Sequence, residues 1–295
     1  MTQATFVAQS KPAETPPVFL CGRRSFDLRR PLVMGIVNAT RDSFSDGGQF
    51  SGAHQAIDYA KRLIDQGADI LDIGGESTRP GAEAVSVEEE LHRVLPVLEG
   101  LRDLGVPLSI DTRRPQVMRE ALAIGVDLIN DVNGFRDPES FAVAAASNAA
   151  LCIMHMLGEP KTMQQSPVYA DVVAEVTQFL LAQRDAFVAQ GVDRARIVID
   201  PGFGFGKTFV HNWALMQAIP SLSAEQTTLI GVSRKTMIGY LIDPQTPPAH
   251  VDRVAGSVSA ALWAAERGAQ ILRVHDVAQT VQALKVWNGL SGRST

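Results

Sequence analysis

The sequence predicts an α/β fold, a single-domain closed (β/α)8 barrel, and three observations point there. Eight short apolar runs alternate with amphipathic helical stretches across most of the chain. The runs are apolar on both faces, which suits a parallel sheet covered by helices. Eight such units in about 260 residues match the size of a closed barrel. An open doubly wound sheet has the same periodicity and stands as the alternative.

Residues 1–17 mix Pro, Ala, Thr, Gln and Ser without periodicity and read as a mobile tail ahead of one domain over 18–295. The pair VFL and SFDL flanks Cys21-Gly22-Arg23-Arg24 and predicts a short N-terminal hairpin. The barrel runs follow as LVMGIVN (32–38), DILDIGG (69–75), PLSIDT (107–112), DLIND (127–131), ALCIMHM (150–156), RIVIDPG (196–202), TLIGVS (228–233) and ILRVHD (271–276). Between them the spacing predicts helices such as 53–67 and 251–268. Gly67, Gly125, Gly191 and Gly268 fall just past helix ends, where a left-handed cap is wanted. No stretch reads as a linker between domains.

Composition removes several function classes. Lys plus Arg number 27 against 32 for Asp plus Glu, a formal charge of -5, so the footprint of a general nucleic-acid binder is missing. No apolar stretch approaches the roughly 20 residues of a membrane span, and the start lacks the basic and apolar regions of a secretory signal. Cys21 and Cys152 are too few for a disulfide framework and read as inert thiols in a reducing cytoplasm.

Each apolar run stops on a residue that can hydrogen-bond or carry charge: Asn38, Asp72, Asp111, Asn130, His155, Asp200, Ser233, and the pair Arg273 and His275. In a barrel these ends gather at one mouth, where the loops build a site. Any one of them reads equally as a helix cap or turn former. Eight together, with carboxylates inside the otherwise apolar SIDT and VIDP, favour a site. A carboxylate there needs a partner, and a flat polar ligand with N–H donors fits. Arg273 and His275, two apart on a strand, share a face, while Leu272 and Val274 point the other way.

Three Gly-rich segments follow strand ends. DPGFGFGKT (200–208) ends like a phosphate-binding P-loop, but Pro201 stands where the first glycine belongs, and the dinucleotide fingerprint fails as well. What remains is a loop presenting Phe203 and Phe205 as a lid or stacking wall. SDGGQFSG (45–52) and GGESTRPGAE (74–83) are longer than ordinary βα loops and suit binding. Arg79, between Thr78 and Pro80, suits a carboxylate or phosphate. GVSRKT (231–236) offers Ser233, Arg234, Lys235 and Thr236 as an anion seat.

Taken in order, MGIVNATRDSFSDGG, DIGGESTRPGAE, LSIDTRRPQVM, LINDVNGF, MHMLGEPKTMQ, DPGFGFGKT, GVSRKTMIG and RVHDV resemble the bacterial dihydropteroate synthases from about residue 32 to the carboxyl end. The resemblance implies a TIM barrel that joins 6-hydroxymethyl-7,8-dihydropterin pyrophosphate to p-aminobenzoate in folate biosynthesis. Pyrophosphate and 7,8-dihydropteroate are released. It implies Mg2+, a homodimer in the cytoplasm, small-molecule partners with sulfonamides as competing ligands, and neither nucleic acid nor membrane. By resemblance, Thr78, Asp111, Asn130, Asp200 and Lys235 hold the pterin. Asn38, Arg273, Val274 and His275 hold the pyrophosphate, with Asn38 a ligand of the metal and Asp46 a second candidate. Phe44, Asp46, Thr78, Arg79, Pro80, Phe205 and Thr236 form the loops and the p-aminobenzoate pocket. The residues expected to carry catalysis are Lys235, Asp111, Asp200, Arg273 and His275.

The chemistry implied is dissociative. Pyrophosphate leaves once its charge is met, an electron-rich dihydropterin stabilises the methylene cation, and the weakly nucleophilic aniline nitrogen adds. Neither cysteine sits in a motif suited to covalent catalysis. Arg41, Arg113 and Leu157 depart from the family's usual proline, serine and glutamine, which bears on loop behaviour and affinity. A pterin-binding corrinoid methyltransferase barrel and a non-catalytic pterin-binding paralogue are the rivals. The first has no need of SRK and ESTRPG, and the second typically loses loop and phosphate residues.

Overall fold

The computed structural model describes residues 17–39, 49–77, 85–159 and 161–291. The expected tail therefore lies, apart from Pro17, outside the described residues.

Strand β1 (Val18–Cys21) pairs antiparallel with β2 (Arg24–Asp27) around Gly22, so the expected hairpin forms. The strands β3 (Leu32–Asn38), β4 (Ile70–Gly74), β5 (Leu108–Asp111), β6 (Leu128–Asp131), β7 (Ala150–Met154), β8 (Ile197–Asp200), β9 (Leu229–Ile230) and β10 (Ile271–Val274) follow. They form one parallel sheet in the order β8-β7-β6-β5-β4-β3-β10-β9. First and last barrel strands are thus neighbours. A parallel bridge from Ile199 to Thr228, with the Ile199 amide 2.9 Å from the Thr227 carbonyl, joins the remaining edges. The barrel closes, and the open-sheet alternative falls.

Period-two alternation sorts the strand residues into two layers. Val37, Leu71, Ile73, Ile110, Ile129, Ile199, Leu272 and Val274 point outward and pack beneath the helices. Met34, Ile70, Leu128, Cys152, Val198 and Ile271 point inward and fill the lower barrel, where Phe19 and Cys21 of the hairpin and Leu28 close the bottom. Residues that follow an outward one near the carboxyl ends point inward too. They include Asn38, Asp72, Asp111, Asn130, Asp200 and Arg273, all polar, with Met154 of β7 the apolar exception. The polar layer at the top of the barrel is a consequence of strand parity.

Three expected strand ends stop short. His155, Ser233 and His275 lie beyond β7, β9 and β10. The His155 amide still reaches the Asp200 carbonyl at 3.0 Å, but there the backbone of Gly202 crosses the His155 carbonyl and the ladder ends. After β9 the Lys235 amide turns back to the Val232 carbonyl at 3.1 Å. The helices agree with their periodicity: α1 (Gln49–Asp65) and α9 (Val254–Glu266) lie on the expected segments. Gly125 caps α3 (Pro115–Ile124) at φ 101, a left-handed turn that a side chain would strain. Among the described residues no helix is long and apolar enough to cross a membrane. Both cysteines are free and buried, and burial pushes their thiols well above the ordinary range.

Candidate active site

The inward polar layer forms a charged floor. Arg273 lies across it, with Nε 2.6 Å from Asp72 Oδ2 and a terminal nitrogen 2.6 Å from Asp111 Oδ2. Asp72 also accepts from Ser109 Oγ at 2.6 Å and from Asn130 Nδ2 at 3.1 Å. Fully buried and taking three donors, Asp72 serves as a support, not as a free acceptor. Asn130 is left with its buried Oδ1 unpartnered among the described residues. Buried carbonyl-type oxygens seldom stay so, and an incoming N–H would satisfy it. Asp200 accepts the Gly202 amide at 2.7 Å through Oδ1, while Oδ2 lies 3.8 Å from the point a Cβ on Gly231 would occupy. Burial raises the pKa of both Asp111 and Asp200. Arg273 opposes it at Asp111; at Asp200 the Gly202 amide opposes it first, then Arg273, Lys235 and Lys207.

Above the floor opens a cavity of about 670 Å³. Asp111, Gly231 and Arg273 lie at its base, and Asn38, Ser233, Lys235, Thr236 and His275 on its cationic side. Ser233 Oγ and His275 Nδ1 are 3.1 Å apart. Burial, with Arg273 and Arg234 acting the same way, pulls the His275 imidazole down to about 3. That holds the imidazole neutral.

The SRK run is shaped by one strained residue. Arg234 takes φ 56 without being glycine, which costs about 1 kcal/mol and needs support. Its guanidinium grips Asp276 at 3.0 and 2.5 Å, and its amide donates to Ser257 Oγ at 2.8 Å. The turn sends Ser233 toward His275 and Lys235 toward the opposite wall, where Nζ stands 4.2 Å from the centre of the Phe205 ring.

That wall is the Gly-rich loop after β8. Phe205 lies on the cavity and packs with Met154, Met156 and Met163. Phe203 does not: it is buried in the outer core, so its reading as a lid or stacking residue is corrected. Gly202 (φ 69) passes so near β7 that a Cβ would stand 1.9 Å from the His155 carbonyl. Lys207 is buried in the cavity lining, and its burial pulls the ammonium down to about 7. On the facing side Glu76 reaches the cavity between Arg113 Nε at 3.2 Å and Arg114 at 3.1 Å. Arg113 also pairs with Glu159 at 2.9 Å.

Of the expected site residues, Asn38, Asp111, Phe205, Lys235, Thr236, Arg273 and His275 line this one cavity, with Asn130 and Asp200 in the floor beneath. Val274 stands apart, since its side chain belongs to the outer core and only its backbone faces the top of the barrel. Phe44, Asp46, Thr78, Arg79 and Pro80, like Arg41, lie outside the described residues. Sequence reasoning gave no binding role to Asp72, Glu76, Lys207 or Arg253. Asp72 carried a signal, because it ends an apolar run like its neighbours. Lys207 sat in view inside the rejected P-loop motif. The arrangement offers hydrogen-bond acceptors to a flat ring rich in N–H groups, beside cations and donors suited to a polyanion.

Comparison with known proteins agrees with this chemistry. The family model described as pterin binding enzyme matches residues 34–275. A dihydropteroate synthase of Neisseria meningitidis serogroup B is 51% identical over 280 residues, covering 92% of this chain and 97% of that protein. Among solved structures, Xanthomonas albilineans dihydropteroate synthase with 4-aminobenzoic acid superposes at TM-score 0.86 with 48% identity, over 95% of this chain and all (100%) of that one. Burkholderia cenocepacia dihydropteroate synthase complexed with 7,8-dihydropteroate superposes at TM-score 0.83 with 50% identity, covering 94% and 97%.

Proposed function

The chain belongs to the pterin-binding enzymes and, within them, to the dihydropteroate synthases, and we propose from its geometry how its residues divide that work. The enzyme is a transferase that condenses 6-hydroxymethyl-7,8-dihydropterin pyrophosphate with p-aminobenzoate. The observation that carries the division of labour is the buried, unpartnered Asn130 Oδ1 in one inward layer with Asp111 and Asp200, directly below a cationic rim.

Asp111, Asn130 and Asp200 accept from the N–H groups of the pterin, and Lys235 donates to its carbonyl side. Arg273, Asn38, His275 and the Val274 backbone hold the pyrophosphate, while Arg273 also ties that end to the floor. As the C–O bond breaks, the bonding pair leaves with pyrophosphate and positive charge spreads from the methylene into the dihydropterin. Phe205 and Thr236, with Thr78, Arg79 and Pro80, hold p-aminobenzoate so that its nitrogen forms the new C–N bond and then loses a proton. Phe44 and Asp46 cover the reacting groups from the first long loop. Water must be kept out, since it too would capture the cation.

Among the described residues no cluster of three His, Cys, Asp or Glu side chains could hold a metal by itself. Asn38 on the cavity nevertheless offers one neutral oxygen. That fits Mg2+, which takes few protein oxygens and fills its remaining positions with phosphate and water. When bound, it would supply charge neutralisation for the departing pyrophosphate.

The reading includes one domain over 18–295, a cytoplasmic setting that keeps both buried thiols reduced, and sulfonamides competing for the p-aminobenzoate pocket. It includes a homodimer, supported by the exposed Val286 and Leu290 of α10 (Val277–Ser291) beside the Ala-rich α9. The test is release of inorganic pyrophosphate by the purified chain. Release should require the pterin substrate, p-aminobenzoate and Mg2+ together. It should vanish in Lys235→Ala and Asp200→Ala while their far-ultraviolet circular dichroism is retained. A non-catalytic paralogue would release none with the full set, and normal release by either variant would refute the assignment.

A further inference from the structure

The mechanism above leaves unused a buried cation in the cavity lining. Lys207 is 3% exposed, and its ammonium is enclosed by four acceptors: the carbonyls of Gly202 and Phe205 at 3.0 Å, that of His155 at 3.2 Å, and His155 Nδ1 at 3.0 Å. His155 can accept at that nitrogen because burial, and then Lys207 and Arg136, hold its imidazole neutral, down at about 3. The same residue, Gly202, donates its amide to Asp200 Oδ1 at 2.7 Å. Lys207 thus stands one peptide from the Asp200 carboxylate, in the lining of the cavity, with its ammonium held by three backbone carbonyls and His155 Nδ1.

We propose that Lys207 is a positioning residue for pterin recognition: it fixes the Gly202–Phe205 wall by gathering its carbonyls, and it is the built-in counter-charge that keeps Asp200 an acceptor when the ligand draws on the other cations. This rests on the pterin reading of the site. Five groups stand by Asp200: Arg273 from β10, Lys235 from the turn after β9, Lys207 from its own loop, Cys152 from β7, and His155 just after that strand. Cys152 and His155 are neutral. Arg273 is committed to Asp72 and Asp111, and Lys235 lies over Phe205. Both are also expected to turn to substrate. The Lys207 ammonium, by contrast, is held by the backbone carbonyls of His155, Gly202 and Phe205.

The sign of the effect follows. Burial raises the Asp200 pKa and Lys207 lowers it, so removing Lys207 must make Asp200 protonate at a higher pH. Lys207 carries its charge below about 7, so its hold on Asp200 fades above that pH. The effect is therefore confined to acid pH. A purely structural role would weaken binding by the same factor at every pH.

The experiment is calorimetric titration of 6-hydroxymethyl-7,8-dihydropterin pyrophosphate with Mg2+ into the full chain, Lys207→Met and Lys207→Arg, from pH 5.5 to 8.5. In Lys207→Met the acid loss of affinity should move upward, giving binding about tenfold weaker than the parent near pH 6, with the gap closing by pH 8.5. Lys207→Arg should keep the parental pH profile. A uniform loss in Lys207→Met, or no loss, overturns the proposal. Should that variant not fold, the Asp200 carboxyl is followed in the parent chain by carbon-13 resonance: Asp200 found protonated at neutral pH, with Lys207 charged, overturns it equally. Failure of the parent chain to bind the pterin at any pH would instead refute the functional reading.

Discussion

His275 and Asp111 illustrate how one environment sets neighbouring residues to different tasks. Both are desolvated, yet burial makes the imidazole refuse a proton and the carboxyl hold one more tightly. For His275 the consequence reaches stability. Its folded pKa, about 3, lies below the ordinary 6.5, so the unfolded chain binds a proton that the folded one rejects. That part of the stability is present above about 6.5 and lost as pH falls toward 3. Unfolding free energy from urea titration should therefore fall more steeply between pH 6 and 4 in the parent than in His275→Gln. The difference should approach 1.4 kcal/mol per pH unit, about one proton. Equal slopes would mean that His275 titrates normally in the fold. At this scale the sequence was informative about residue type and silent about partners. Asn130, Asp111 and Asp200 are visible as polar ends of apolar runs. That Asp72 is saturated by Ser109, Asn130 and Arg273 depends on the register of β4 against β5 and on β10 reaching across the barrel. No local pattern encodes that.

At the scale of elements, the site is held by turns whose geometry admits few residues. The loop after β8 can cross β7 only because Gly202 has no side chain. Gly202→Ala would force both a positive φ on alanine and a collision with the His155 carbonyl. A loss of about 3 kcal/mol in urea-derived stability is expected, at the upper end for strained backbone positions. The Michaelis constant for p-aminobenzoate should rise as well, because Phe205 moves with the loop. Unchanged stability would show that the close crossing is not maintained in solution. The parity of strand residues made the barrel and its inward layer readable, since both follow from a period of two. The division between Phe203 and Phe205 was not readable, because successive positive-φ glycines reset which way each ring points. The short β9 was hidden for a related reason: TLIGVS is apolar enough for a strand, but the turn at Val232–Lys235 intervenes.

At the scale of the whole molecule, closure of the barrel does the assembling. Eight strand ends from across the chain meet at one mouth because β8 and β9, the two ends of the sheet order, are joined by the Ile199–Thr228 bridge. The hairpin and the lower apolar layer plug the opposite end, so the cavity opens on one side only. Arg273 links the two functions of that mouth, lying across the carboxylate floor while also reaching the cavity. The central claim is that one hollow takes the pterin on its acceptor floor and the pyrophosphate against Arg273, Asn38 and His275. The most direct measurement is a crystal structure of the chain soaked with 6-hydroxymethyl-7,8-dihydropterin pyrophosphate. The account predicts ring N–H groups about 3 Å from the oxygens of Asp200 and Asn130, with the phosphates against Asn38, Arg273 and His275. A pterin bound elsewhere, or seated there with its phosphates directed away from those three residues, would contradict it.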